Sequence, residues 1–148
     1  MADTLDDVKQ AWVGKQIDRA EFAVTIDRLL DWAQSCGETD PRFVDPDHPD
    51  FQAHPTFTAC LTHGPALPKG FPQLGNGRGI DGGKSVEIHA PVRPGDVLTG
   101  RSEVADIYTK TGRSGTMIFI VHRTHFANQR GEEVATVDWR MIRATGGE

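Results

Sequence analysis

Four sets of residues have types and spacings that could suit chemistry. Asp45, Asp47, His48, Asp50 and His54 gather oxygen and nitrogen donors in one short run. A calcium loop would need a glycine at its sharp turn, and Pro46 and Pro49 deny that backbone path. Zinc would want ligands fixed on regular elements. The run therefore reads as a solvated acidic loop, with no metal expected. Gly77-Arg78-Gly79-Ile80-Asp81-Gly82 spells the G-x-G-x-x-G string that cradles a pyrophosphate. That use requires a strand before it and a helix N-terminus after it. Here Pro72 precedes and a strand follows, so a flexible surface loop is expected. His89, His122 and His125 fall in strand patterns at positions consistent with a polar outer face, and they read as ordinary surface histidines. Cys36 and Cys60 fit neither a disulfide framework nor a zinc pattern, and read as reduced thiols of a cytoplasmic protein.

The elements that must position such groups change period along the chain. Thr4 with Asp7 makes a capping box for a short helix ended by Gly14. Ile17 to Val24 alternates weakly and reads as a strand. Thr25 caps a second helix, whose stripe is Ile26, Leu29, Leu30 and Ala33, with Gly37 as a left-handed C-terminal cap. The Pro- and Asp-rich stretch Glu38 to Ala53 reads as loop or broken turn. Pro55 can open an interior helix over Thr56 to His63, carrying Phe57, Ala59, Cys60 and Leu61. A Gly-rich loop is expected from Gly75 to Gly83. From Lys84 the period is two: Val86, Ile88 and Ala90 lead to the turn Pro91 to Asp96, then to strands over Val97–Lys110 and Thr116–Asn128. In a last strand Ala135, Val137, Trp139 and Met141 alternate with Thr136, Asp138, Arg140 and Ile142. Three long strands joined by short turns form an antiparallel meander, giving an α+β class.

The 148 residues make one domain, 37% hydrophobic and 25% charged. No apolar run approaches the ~20 residues of a membrane helix, so no membrane partner is expected. The first residues, with Asp3, Asp6 and Asp7, do not read as a signal peptide. The formal net charge of −5 argues against nucleic acid as a partner.

The order of these features resembles the MaoC-type hotdog family of R-specific enoyl-CoA hydratases and 3-hydroxyacyl-thioester dehydratases. The resemblance runs over about residues 12 to 144. It is carried by Cys36-Gly37, then Glu38 to Asp45, then Ala53-His54-Pro55-Thr56-Phe57, then Gly82 to Asp96 with its Arg93-Pro94-Gly95-Asp96 turn. It implies a hotdog fold: a curved antiparallel sheet wrapped around a central helix, here the segment from Pro55 to His63. It also implies an acyl or enoyl thioester as substrate, no cofactor, and pairing with another hotdog chain, identical or different. Active members place an Asp and a His five residues apart in a G-D-x-N-P-x-H loop, where they activate water and move a proton to Cα. Amides at the start of the central helix polarise the thioester carbonyl.

With Gly37 on the motif's glycine, Glu38 takes the place of the Asp, Asp40 of the Asn, Pro41 of the Pro and Phe43 of the His. A phenyl ring transfers no proton, and no catalytic residue is expected from the motif itself. The variant resembles the catalytically incomplete half of these enzymes, whose pocket holds the acyl chain while a partner supplies Asp and His. Pro55, Thr56, Phe57, Cys60 and Leu61 are the candidate walls of that pocket. Arg93 is a candidate for a CoA phosphate, or simply a turn residue. Two alternatives stand beside this reading. One is a self-sufficient enzyme with Glu38 or Asp40 working with His48 or His54. The other is a module that binds acyl thioesters without converting them. A thioesterase is weakest, because Thr56 to Leu67 holds no carboxylate.

Overall fold

A computed structural model describes residues 3–146; the outermost residues of the 1–148 domain assignment, 1–2 and 147–148, lie outside the described residues. Helix α1 (Leu5–Trp12) starts at the expected capping box: Asp7 N–H donates to Thr4 Oγ1 at 3.2 Å, and Thr4 N–H donates to Asp7 Oδ2 at 2.9 Å. Strand β1 (Gln16–Ala23) follows, then α2 (Ile26–Ser35), capped by the Thr25 hydroxyl. Leu29 and Ala33 of its stripe are buried, but Ile26 is exposed. Gly37 adopts the left-handed conformation expected of a C-terminal cap, at φ +69°.

Two expectations about loops and helices need correction. Within the Glu38 to Ala53 stretch expected as loop or broken turn, Pro41–Val44 forms one helical turn, α3, because Asp40 caps it and Pro41 fits its first position. The interior helix expected over Pro55 to His63 is reduced to a single 3-10 turn, Phe57–Cys60. Thr56, Thr58 and Thr62 are β-branched, and Gly64-Pro65 stops the segment early. So short a helix is not stable without strong propensity or a long packing face.

The sheet has five antiparallel strands in the order β1-β3-β4-β5-β2, completed by β2 (Gly79–Ile88), β3 (Val97–Gly112), β4 (Gly115–Ala127) and β5 (Glu133–Ala144). The second half of the expected Gly-rich loop is therefore strand: Gly79 and Ile80 pair with Arg143 and Ile142, and a bulge lies between Asp81 and Lys84. At that bulge a Cβ on Gly82 would stand 2.7 Å from the Arg140 carbonyl oxygen, so glycine is required by close backbone approach. The string that spells a dinucleotide loop is thus the beginning of an edge strand.

One face of the sheet is the core. Cross-strand partners share a face, and the register sets Gly100 opposite Phe126 and Phe126 opposite Ala135. Leu98, Phe126, Val134, Ala135 and Val137 pack there against Leu29 of α2 and Phe57 of the 3-10 turn. Farther along the same face Val104, Ile107, Ile120 and Met141 pack against Val8 of α1. The other face carries charge pairs, Arg123 with Asp138 at 2.7 Å and His125 with Glu103 at 3.0 Å.

Candidate functional site

Where a longer helix would cover the core face, the chain leaves a hollow of about 290 Å³ between the 3-10 turn and strands β2, β4 and β5. Leu61, Phe126 and Val137 form apolar parts of its wall, and Thr58, His63, Lys84, His122 and Trp139 the polar or amphipathic parts. Among the described residues no Asp or Glu lines it. Lys84 Nζ donates to the Ala59 carbonyl at 2.9 Å and sits 5.6 Å over the Trp139 ring, fastening the edge strand β2 to the turn. His122 is not a surface histidine. It shares strand parity with Ile118, Ile120 and Phe126, and burial pushes its pKa below the usual imidazole value, favouring the neutral ring.

The Gly37–His54 loop stands on the other side of the turn. Glu38, Phe43 and His54 converge there, although Glu38 and His54 are far apart in sequence. Glu38 Oε1 accepts the backbone N–H groups of Asp40 and Thr39, both at 2.9 Å, and these bonds hold its carboxyl below the ordinary range. Its Oε2 lies 3.1 Å from His54 Nε2. The Thr56 N–H donates to His54 Nδ1 at 3.2 Å, so the ring proton belongs on Nε2, facing Glu38. The Thr56 hydroxyl is 2.8 Å from Nδ1 and accepts from Trp32 Nε1 at 3.0 Å. Phe43 is buried, with its ring 5.6 Å from the His54 ring in an edge-on contact. Of the fallback pairings named from the sequence, Glu38 or Asp40 with His48 or His54, the structure brings Glu38 and His54 together, and Phe43 packs against that ring.

This pairing is not yet an open acid–base site. Carboxylate and imidazole point at each other. The space beside His54 is about 20 Å³, room for one water and no acyl chain. Phe57 N–H and Ala59 N–H are used by the turn itself, donating to His54 and Thr56 carbonyls at 2.9 and 3.0 Å, so neither is free to polarise a thioester.

The remaining candidates are placed as follows. Asp40 caps α3 and pairs with Arg42 at 2.9 Å, which lowers its pKa. His48 Nδ1 accepts the Asp50 N–H at 3.0 Å, and Asp45 accepts the Asp47 N–H, so the acidic run stabilises its own turns. Among the described residues no three His, Cys, Asp or Glu side chains come together as a metal cage. Arg93 donates to Asp50 Oδ1 at 2.8 Å and to the Phe51 carbonyl at 3.2 Å, tying the loop to the β2–β3 turn. Of the candidate wall residues, Leu61 lines the large hollow. Pro55 and Phe57 border the one-water space, Cys60 an open groove, and Thr56 the imidazole network. His63, Lys84, His122, Thr58 and Trp139 were not foreseen. Parity along β4 and β5 was the available signal for His122 and Trp139; nothing local marks the others.

Sheet and helices together define a MaoC-type hotdog. The model of the FAS1-like dehydratase domain region matches residues 11–137, and the chain belongs to that family. It is 26% identical over 159 aligned residues to a probable enoyl-CoA hydratase alpha subunit of Thermomonospora curvata, covering 90% of this chain but only 50% of that protein. It is 28% identical to a UPF0336 protein of Streptomyces coelicolor, covering 94% of this chain and 96% of the other. The chain thus spans about half of the first relative and nearly all of the second. A MaoC-like dehydratase from Phytophthora capsici superposes with a TM-score of 0.67 at 25% identity, over 99% of this chain and 51% of that one. The HadBC 3R-hydroxyacyl-ACP dehydratase complex of Mycobacterium tuberculosis gives 0.64 at 19% identity, over 88% and 93%. No helix among the described residues is long and apolar enough to cross a membrane.

Proposed function

We propose that this chain is the acyl-binding, catalytically incomplete half of an R-specific enoyl-thioester hydratase or 3-hydroxyacyl-thioester dehydratase. The observation that carries this reading is the hollow of about 290 Å³ beside the short 3-10 turn, in whose wall no described residue is an Asp or Glu. A second hotdog chain pairs edge to edge with it and supplies the Asp and His. In the hydration direction those groups deprotonate water for attack on Cβ and return a proton to Cα. This chain holds the fatty part of the thioester, fixing the reacting carbons within reach of the partner's dyad. The thioester, on CoA or on a carrier protein, is substrate, and the acid–base step calls on no cofactor.

The test is turnover of crotonyl-CoA and longer enoyl-CoAs by the purified chain, alone and together with a hotdog chain bearing an intact G-D-x-N-P-x-H loop. Activity is expected only from the pair, with the longer substrates gaining most. Ordinary turnover by the chain alone would overturn the assignment.

One observation favours a second reading, a self-sufficient hydratase: Glu38 and His54 already lie 3.1 Å apart. If the lone chain turns over, loss of that activity in both Glu38→Gln and His54→Ala would assign it to this pair.

A further inference from the structure

The elements that cover the sheet lie on its core face. Val8 of α1, Leu29 of α2, Phe57 of the 3-10 turn and the segment carrying Leu67, Phe71 and Leu74 all pack there. The opposite face is charged at one end, around Arg123 and His125, and apolar at the other. Tyr108 of β3 stands opposite Phe119 of β4, Phe119 opposite Ile142 of β5, and Ile142 opposite Ile80 of β2. Together they make an apolar row across four strands. The Tyr108 and Phe119 rings stack at 5.0 Å and 8°. Lys110 Nζ lies 5.8 and 5.3 Å over them, on a long stem free to swing to the rim. In the next row Val121 is buried, yet it belongs to neither core cluster.

Val121 is flanked across the strands by Asp106 on β3 and Arg140 on β5. Asp106 has Lys9 at 4.0 Å, and its side chain is half exposed. Arg140 donates to the Ser85 hydroxyl at 3.3 Å. The order acid, apolar, base is self-complementary. A second copy can lay the same face on this one about a two-fold axis running along β4. Rows then keep their level, and β3 of one copy faces β5 of the other. Asp106 meets the second copy's Arg140, and Arg140 meets its Asp106. Phe119 and Val121 meet their own counterparts, and Tyr108 meets Ile142. Such local neutralisation matters between chains that each carry a formal charge of −5. Packed sheets lie about 10 Å apart and cross at about 30°. That crossing carries the charged rows apart, so Glu103 of one copy does not come against Asp138 of the other.

We infer that this face is a contact surface for a second copy of the chain, packed sheet against sheet about a two-fold axis along β4. The inference stands apart from the acyl-binding reading and leaves the hydrogen-bonding edge of β2 free for another hotdog chain.

Sedimentation equilibrium of the complete chain over a range of concentrations tests this. Reversible self-association is expected. Phe119→Lys should weaken it at least about tenfold, because a charge is buried at the centre of the contact. Asp106→Arg should weaken it by about as much, because arginine then faces arginine. Asp106→Arg combined with Arg140→Asp should restore most of the parent's affinity, a rescue that a merely structural role of Asp106 does not give. If Phe119→Lys fails to fold, the two surface charge variants still decide. A single chain at every concentration would overturn the inference. So would an assembly that Phe119→Lys and Asp106→Arg leave untouched, since that is a pair formed along a strand edge. Failure of the charge swap to restore association would also overturn it.

Discussion

Glu38 is held as a carboxylate chiefly by the amides of Asp40 and Thr39, with His54 adding to the effect. Its folded pKa lies below the ordinary 4.5, so the stabilisation it brings is complete above that value and is lost as pH falls through the folded pKa. Glu38→Gln should therefore be less stable than the parent at neutral pH, with the gap closing as the pH falls below the ordinary carboxylate range; urea midpoints from neutral pH into acid check it. His122 has the opposite origin and the same sign. Burial lowers its pKa from 6.5, so below that value the unfolded chain takes up a proton that the folded chain resists. His122→Asn should lose less stability than the parent between pH 6.5 and mild acid, measured as melting temperature against pH. At this scale the sequence was legible in part. Motif arithmetic locates Glu38 and Phe43. It does not bring His54 to Glu38, because that contact depends on a turn through Pro46 and Pro49 whose path no local pattern specifies. His122 was legible in principle, since it alternates in step with Ile118 and Ile120, yet a histidine's polarity argues for the wrong face.

The strands were the most readable elements, because period-two alternation reports directly on a sheet with one covered face. The segment after Pro55 was misread for a physical reason: low charge marks burial, not helicity, and a buried 3-10 turn has the same composition as a buried helix. The GxGxxG string was likewise glycine-rich for close packing at a bulge rather than for loop mobility. Gly82→Ala should push β2 from β5 and cost about 1–3 kcal/mol, as overpacking does, seen as a lower melting temperature. The Gly37–His54 loop has its own anchor in Arg93, whose salt bridge to Asp50 is half exposed on both sides. Arg93→Ala is expected to lower stability only slightly, because solvent screens its ion pair. Asp50→Ala should cost similarly, and the double variant less than the two together, because both remove one contact.

In the whole molecule the sheet has two open edges, β1 and β2. β1 carries Asp18, Arg19 and Glu21, charges that discourage pairing. β2 leaves Ile80 and Ile88 50% and 47% exposed, and is the edge on which a partner chain is expected. Ile80→Lys together with Ile88→Lys should abolish copurification with a dyad-bearing chain while the circular dichroism spectrum is unchanged. The family resemblance rests on the order of features over nearly the whole chain, which is why it was legible when no single motif was. β2 also bears Lys84, whose ammonium grips the carbonyl of Ala59 in the rim of the hollow. Assembly and occupancy consequently share one lever. Under the proposed function, a second chain that stiffened β2 would also stiffen the rim, and a guest settled under the rim would steady β2 for that chain. Thermodynamic reciprocity then requires each event to tighten the other by the same factor, so that the pair would come together most firmly when it has something to work on.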